Sequence, residues 1–546
     1  MKNWCYLLLI ILINFGTGFA QQYNYTRQDT LRGSITPERV WWNLLHYNLD
    51  FKVFPSSKSI EGSNQIRYEV LNENQLMQID LQPPMKIISV SDDHESLDFE
   101  RDGNVYYIKL KKRQKIGAIN EITIDFKGTP KISNNPPWDD GFTWKKDKKG
   151  TDFIATSCQG GGSSIWWPSK DHMYDEPDQG IALSVTAPKH IVSVANGRLT
   201  NMKENLNQTI TSTWKVVHPI NNYGVNINIG DYVHFSEKFK GKKGDLDCDY
   251  YVLSYNLGKA KKQFKEVSRT LEAFEYWFGP YPFYEDSYKL VEVPYLGMEH
   301  QSSVTYGNGY QNGYKGIDLS ESGWGLKFDF IIVHESGHEW FANNITNVDI
   351  ADMWIHESFT AYSENLFLDY HYGTEACNAY VTGTRKRIQN DKPIIGDYNV
   401  NNSGSGDMYY KGANMLHTLR QIIDNDEKWR SILVGLNKDF YHQTVTTKQV
   451  ENYINNFFKI DLIPFFNQYL RTTKIPILEY KIQERELSYK WSNVVNDFSI
   501  PLKISVNSTL EWIKPTKRWK KLTLDNKIIS FSVDNNFFIE VENKSY

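Results

Sequence analysis

The stretch from His334 to Glu357 constrains the fold of this chain more than any other feature. It begins His-Glu-Ser-Gly-His, so that His334 and His338 stand four residues apart and Glu335 follows the first histidine. Residues four apart share one face of a helix, and the two imidazoles can therefore face a common point. Glu357 follows after eighteen further residues, enough for a turn and a second helix that returns a carboxylate to that point.

Two histidines, one glutamate and an open fourth position are the ligand set of a catalytic zinc ion. The stretch therefore predicts one zinc ion per chain, held by His334, His338 and Glu357, with Glu335 beside it as the general base. The alternative is a pair of structural histidines in a core, because apolar residues precede His334. The spacing of Glu357 favours the metal site over this alternative.

Length and charge bound the class of protein. The chain has 546 residues, which corresponds to about three or four domains. Its formal net charge of −4 argues against a nucleic-acid surface, which needs a concentrated basic face. Aromatic residues make up 14% of the chain; we attribute them to buried strands, with a sugar-binding surface as the alternative.

The first twenty residues have the pattern of a secretory signal peptide. Lys2 precedes an apolar run over residues 4–13 that is too short to span a bilayer, and small residues lead to Ala20. We expect cleavage near Ala20, a periplasmic or secreted protein, and no stable membrane anchor afterwards; an uncleaved anchor is the alternative. The cysteines that remain are odd in number and predict no disulfide framework: Cys158, Cys248 and Cys377.

Hydrophobic periodicity divides the rest of the chain. Residues 21–37 are polar without a period, which predicts an irregular leader. From residue 38 to 248 apolar and polar residues alternate, which predicts an N-terminal antiparallel β domain. From residue 249 to 476 the spacing becomes three and four, which predicts a mostly helical catalytic domain whose first helix runs from Lys259 to Phe278.

The last part of the chain returns to strands. Seven short strand patterns over residues 477–546 predict a small C-terminal β-sandwich. Before it, Thr446 and Gln449 have the spacing of a capping box at the start of a helix. The predicted fold class is thus multidomain α+β.

Three further motifs accompany the zinc stretch. They are Leu296-Gly297-Met298-Glu299-His300 upstream, Tyr409-Tyr410-Lys411-Gly412-Ala413 downstream, and the segment Gln159-Gly160-Gly161-Gly162 in the β domain. Together with the zinc stretch they resemble the aminopeptidase N family of zinc gluzincins. The resemblance covers most of residues 38–470, and it implies a thermolysin-like catalytic domain that removes single residues from peptide N-termini.

The resemblance also implies roles for the motif residues. Glu335 takes a proton from a water that zinc acidifies, and Tyr409 stabilises the oxyanion. The residues expected to bind substrate, with the first on its free amine, are Glu299, Met298, Gly297 and Gln159. Tyr410 makes the register of the tyrosine ambiguous, and the neighbourhood of Gln159 has a plain turn as its alternative.

The family signature G-x-M-E-N departs at two positions here, where Leu296 replaces the glycine and His300 the asparagine. His300 touches either the substrate or only its own loop. Glu364, seven residues after Glu357, either orients a zinc ligand or is a solvated helix residue.

A secreted zinc aminopeptidase acting on peptides with a free N-terminus is the leading hypothesis. A zinc endopeptidase with similar ligand spacing is the second, and a non-catalytic binding protein of the same fold is the third. The family also includes an epoxide hydrolase activity. The sequence does not specify the preferred first residue, the peptide length or the oligomeric state.

Overall fold

The computed structural model of the chain describes residues 24–93 and 95–545, so the predicted signal peptide lies outside the described residues. Within the described part, no helix is long and apolar enough to cross a membrane. The three cysteines there are buried free thiols.

Two short helices open the described chain, α1 (Arg27–Gly33) and α2 (Pro37–Val40). The prediction of an irregular leader is therefore wrong for α1. Thr26 and Asp29 form a capping box at its start, which satisfies free backbone N–H groups without needing an apolar period.

The N-terminal part is built from strands, as predicted. They are β1 (Trp42–Phe54), β2 (Ser59–Val70), β3 (Leu76–Asp80), β4 (Lys86–Asp92), β5 (Glu95–Ser96), β6 (Asp98–Asp102), β7 (Val105–Lys109), β8 (Ile119–Gly128), β9 (Gly141–Lys146), β10 (Asp152–Ser157), β11 (Ile181–Pro188), β12 (Val192–Ala195), β13 (Arg198–Glu204), β14 (Thr209–Val216) and β15 (Ile227–Gly230). The largest sheet has the order β13-β14-β11-β1-β2-β8-β4-β5 and is antiparallel except between β1 and β11. Two smaller sheets, β12-β15-β10-β9 and β3-β7-β6, complete this part.

The next two strands, β16 (Tyr232–Gly241) and β17 (Gly244–Leu253), belong to a different sheet. They join β18 (Tyr288–Glu292), β19 (Gly297–Met298) and β20 (Val304–Tyr306) in the order β16-β17-β18-β20-β19. The predicted boundary at residue 248 therefore falls inside β17. Alternation identifies a strand, but it does not say which sheet the strand joins.

Helices dominate the following region, as predicted. They are α3 (Leu257–Gln263), α4 (Lys265–Phe278), α5 (Phe330–Gly337), α6 (Trp354–Tyr372), α7 (Thr374–Gly383), α8 (Tyr410–Ile423), α9 (Asp426–Asp439), α10 (Thr447–Asn455) and α11 (Ile463–Leu470), with β21 (Ile345–Asn347) paired to β22 (Gln443–Val445). The helix predicted over Lys259–Phe278 is broken in two at Phe264, whose buried side chain lies in the core. The capping box of Thr446 and Gln449 is confirmed at α10.

The C-terminal part has the seven strands that the sequence predicted. They are β23 (Ile477–Gln483), β24 (Glu486–Ser492), β25 (Leu502–Val506), β26 (Thr509–Ile513), β27 (Lys520–Thr523), β28 (Phe531–Val533) and β29 (Glu540–Asn543). They form two sheets, β27-β24-β23-β29 and β26-β25-β28, which share a buried apolar core with the helical region.

Candidate functional site

Helices α5 and α6 bring the two halves of the zinc stretch together. Asp329 caps α5, where its carboxylate accepts hydrogen bonds from two backbone N–H groups. His334 and Glu335 lie on this helix, and His338 lies at its C-terminal end. Gly337 lets α6 approach closely, since a Cβ at this position would lie 2.6 Å from Oγ of Ser363.

The three predicted zinc ligands converge. Oε2 of Glu357 lies 3.4 Å from Nε2 of His338 and 3.8 Å from Nε2 of His334. The two imidazole rings are 5.0 Å apart and nearly perpendicular, at 82°. All three side chains are buried.

Hydrogen bonds on the opposite ring nitrogens fix both imidazoles. Nδ1 of His334 lies 2.8 Å from Oε1 of Glu364. Nδ1 of His338 lies 3.1 Å from the carbonyl oxygen of Phe341 and 3.1 Å from Oγ1 of Thr360. With Nδ1 engaged, each Nε2 is free to donate a lone pair to a metal.

These residues fit a zinc ion. Oε2 of Glu357 is buried and has no hydrogen-bond partner, which is costly unless a cation occupies the point it faces. Glu299, Glu335 and His338 form a second group with metal-ligand spacing. We favour the first group for two reasons. Glu299 already accepts two hydrogen bonds, and the second group contains only one histidine.

Glu335 faces the same space without belonging to the favoured ligand set. Burial raises the pKa of Glu335 to about 7, and nearby Glu299 adds to this rise while His334 opposes it. A dication bound beside it would lower that pKa again. The buried carboxylate of Glu335 is thus placed to accept a proton within the cavity.

Gln159 joins a predicted substrate residue to a predicted ligand. Its Nε2 donates to Oε1 of Glu299 at 2.7 Å and to Oε1 of Glu357 at 3.1 Å. Glu299 also accepts a 3.1 Å hydrogen bond from the hydroxyl of Tyr223, and its backbone carbonyl accepts one from Asn343. Gln159 therefore lies in a turn that lines the site.

Tyr409 lies at the start of α8, directly after the 3-10 helix Gly406–Met408. Its ring stacks against His334 at 6.0 Å between centroids. Burial and the charges of Glu357 and Glu299 raise the pKa of Tyr409 well above its ordinary value, so the hydroxyl keeps its proton. Tyr410 also faces the cavity, but the charge that most affects its hydroxyl is that of Glu364.

A cavity of about 460 Å³ contains all nine predicted site residues. Four carboxylates line it: Asp140, Glu299, Glu335 and Glu357. No lysine or arginine of the described chain lines it. Such a cavity attracts cations, both a metal ion and the ammonium group of a peptide N-terminus.

Gly297 and His300, two positions of the segment that resembles the G-x-M-E-N signature, differ in their placement. Gly297 lets β19 approach α5, since a Cβ there would lie 2.6 Å from Ile331 and 3.1 Å from Oε1 of Glu335. His300 is buried, does not line the cavity, and has no hydrogen-bond partner on either ring nitrogen. Burial lowers the pKa of His300 to about 3, so the ring is neutral.

The sequence did not reveal several residues that complete the site. Tyr223 belongs to the β part and lacks any local pattern, so only the fold brings it to Glu299. Glu364 was left undecided between two roles, and the structure places it, buried, against His334. Other unanticipated cavity residues are aromatic or apolar: Trp138, Tyr314, Leu319 and Phe330.

Comparisons with known proteins agree with this geometry. The model of the peptidase family M1 domain matches residues 262–469. Leucine aminopeptidase 2 of Lodderomyces elongisporus is 23% identical over 77% of this chain and 66% of its own length. Probable aminopeptidase 1 of Sulfurisphaera tokodaii is 20% identical over 66% of this chain and 48% of its own length. The match thus spans about half to two thirds of these relatives.

Solved structures share the fold. The M1 zinc metallopeptidase of Deinococcus radiodurans has a TM-score of 0.65 at 19% identity, covering 77% of this chain and 91% of that one. A mutant of that enzyme bound to a Tyr-Ser-Ala substrate has a TM-score of 0.66 at 18% identity, covering 80% and 96%. The resemblance and the predicted fold class are confirmed. Residues 262–469 therefore match the peptidase family M1 domain, and the fold is that of solved M1 zinc metallopeptidases.

Proposed function

We propose that this chain is a zinc aminopeptidase that removes the N-terminal residue from peptides with a free N-terminus. One observation carries the proposal: Gln159 holds the carboxylate of Glu299 beside the ligand Glu357, within one cavity. A carboxylate fixed at that place can bind the substrate's ammonium group and so position the first peptide bond near the metal ligands.

The chain's own residues supply the remaining chemistry. When bound, zinc polarises the peptide carbonyl and acidifies a water molecule. Glu335 accepts the proton of that water and returns it to the leaving amine. Tyr409, whose hydroxyl stays protonated, donates a hydrogen bond to the developing oxyanion, a contribution of about 3–4 kcal/mol at related sites. Met298 lies in the wall around the first side chain.

The endopeptidase hypothesis differs in one requirement. An endopeptidase needs room for residues before the cleaved bond, and it has no use for a buried carboxylate that binds an amine. Glu299 is buried and lies at the cavity wall with Gln159 and Tyr223 bonded to it. We therefore place the substrate's N-terminus at Glu299.

The test is hydrolysis of fluorogenic aminoacyl substrates, each supplied with a free and with an N-acetylated amine. We expect cleavage of the free forms only, loss of activity with a zinc chelator, and its return when zinc is added. Equal cleavage of the acetylated forms would favour the endopeptidase, and zinc binding without cleavage would favour a binding protein.

We further propose that the protein works outside the cytoplasm. The proposal rests on the signal-peptide pattern of residues 1–20. N-terminal sequencing of the mature protein from its native host is expected to begin at Gln21. A protein that retains Met1 in the cytoplasmic fraction would overturn this.

A further inference from the structure

The first described residues contact two loops, one of which carries the cavity residue Gln159. We call residues 24–33 the N-terminal clasp; it consists of a short extended stretch and helix α1. Arg39 of helix α2 anchors the clasp: its guanidinium donates to the carbonyl oxygens of Leu31 and of Ser34, just beyond the clasp, at 2.7 and 2.8 Å. Arg39 also pairs with Asp80 of β3 at 2.6 Å. The free side of the clasp faces the loop that carries Gln159.

Arg32 of the clasp contacts the loop that carries Gln159. Its Nη2 donates to the carbonyl oxygen of Gly160 at 3.4 Å, and its Nη1 lies 2.6 Å from the carboxylate of Asp171. The guanidinium packs tightly there, since a Cβ on Gly162 would lie 2.3 Å from Nη2. Its side chain is only 15% exposed, so water does not replace these contacts.

The second loop, residues 397–404, contacts both the clasp and the Gln159 loop. The hydroxyl of Tyr25 donates to Asp397, and a Cβ on Gly33 would lie 2.2 Å from the backbone of Val400. Nδ2 of Asn401 donates to the carbonyl oxygen of Gly160 at 3.2 Å. This carbonyl thus accepts from Arg32 and from Asn401, which lie far apart in the sequence.

Gly160 follows Gln159 directly in the chain. The position of the Gly160 backbone therefore constrains where the side-chain amide of Gln159 points. From the other side, the carboxylate of Asp140 accepts from the N–H groups of Gly160 and Gly161 at 3.2 and 2.8 Å. The loop is therefore held at the N–H groups of Gly160 and Gly161 and at the carbonyl oxygen of Gly160.

We propose that Arg32 is a positioning residue for Gln159, and that the N-terminal clasp thereby sets the substrate-amine site. This inference rests on the proposed aminopeptidase function. Arg32 itself does not line the cavity and acts through the Gly160 carbonyl. Loss of the guanidinium frees the loop, and the amide of Gln159 then no longer holds Glu299 in place.

The test is a double-mutant cycle in the holoenzyme. R32Q is expected to raise KM for free-amine substrates about tenfold with kcat within about twofold, because amine binding is weakened and the metal ligands are untouched. In a Q159A background the same substitution is expected to leave KM unchanged. R32K, which keeps a cation, should restore part of the loss. R27Q is the control, since Arg27 lies on the same helix but pairs with the half-buried Asp102, away from the Gln159 loop.

N401A provides a second test should R32Q fail to fold, because it removes the other hydrogen bond to the same carbonyl from a residue outside the clasp. It too should raise KM only when Gln159 is present. An unchanged KM in R32Q and N401A, or an equal rise with and without Gln159, would overturn the inference while leaving the proposed function intact. A wild-type holoenzyme that cleaves no aminoacyl substrate would overturn both.

Discussion

Glu364 lies 2.8 Å from Nδ1 of His334, on the side of the ring that faces away from the metal point. Its other oxygen accepts a 2.8 Å hydrogen bond from the hydroxyl of Tyr380. The carboxylate is thereby fixed on α6, and it in turn fixes the tautomer and plane of the imidazole. Residues of two helices, Glu364 of α6 and Tyr380 of α7, thus together fix the orientation of the His334 imidazole.

Removal of this support should weaken zinc binding. E364A is expected to raise the zinc dissociation constant about 10- to 100-fold, because His334 loses the acceptor that orients it. Competition with a chelator of known affinity measures this. Y380F is the matched control, since it removes only the bond to the far oxygen and should cause a smaller change. Equal zinc affinity in E364A and the wild type would contradict the role of Glu364.

The role of Glu335 separates zinc binding from catalysis. E335Q is expected to lower kcat by about 10²- to 10⁴-fold, because an amide cannot accept the proton of water. It should keep one zinc per chain, since Glu335 is outside the favoured ligand set. E375Q, on the exposed face of α7, is the control. Loss of zinc in E335Q but not in E357Q would instead assign the metal to the second group of ligands.

Gly297 is required for the approach of β19 to α5. A Cβ would lie 2.6 Å from Ile331 and 3.1 Å from Glu335, so G297A must push the strand away from the catalytic helix. Displacement by about 1 Å can cost about 100-fold in rate, and we expect kcat/KM to fall by about 10- to 100-fold. G406A, beside Tyr409, adds its Cβ to open space and should be nearly neutral. Equal activities for the two variants would contradict the close approach.

Glu176 links the β part to β21, where its carboxylate accepts a 2.8 Å hydrogen bond from Thr346. Burial raises the pKa of Glu176 to about 8, above its ordinary 4.5. Between these two values the unfolded chain releases this proton while the folded chain keeps it. The stability that the group contributes is therefore full below about pH 4.5 and is lost as the pH rises towards 8.

E176Q lacks this titration. The unfolding free energy of E176Q relative to the wild type should therefore increase by about 4 kcal/mol from pH 5 to pH 8, at about 1.4 kcal/mol per pH unit. Urea unfolding at a series of pH values measures it, with the exposed E375Q as a control that should show no trend. A difference independent of pH would show that Glu176 is ionised in the folded protein.

Local patterns predicted the residues that lie close together in the sequence. The four-residue spacing of His334 and His338 predicts that both face one point, because helical geometry fixes which side chains share a face. The position of Glu357 predicts a second helix that returns to that point, and the structure brings the three side chains together. The alternation of strands and the seven C-terminal strands were equally readable. The capping box at α10 was recognised, whereas the one at α1 was missed because no apolar period accompanies it.

Long-range contacts account for what the sequence did not show. Tyr223 reaches Glu299 from a short 3-10 helix, Asn222–Gly224, and Arg32 reaches the Gln159 loop from the N-terminal clasp. Neither residue belongs to a recognisable local motif, because only tertiary packing brings it beside its partner. The boundary predicted at residue 248 falls inside β17 for the same reason, because the sheet that a strand joins depends on the whole fold.

The position of the cleaved bond tests the central claim most directly. Holoenzyme is incubated with a peptide of about ten residues and with its N-acetylated form, and the products are followed by mass spectrometry over time. The binding of the free amine at Glu299 predicts successive loss of single residues from the N-terminus and no change in the acetylated peptide. Internal fragments, or equal cleavage of both peptides, would contradict it.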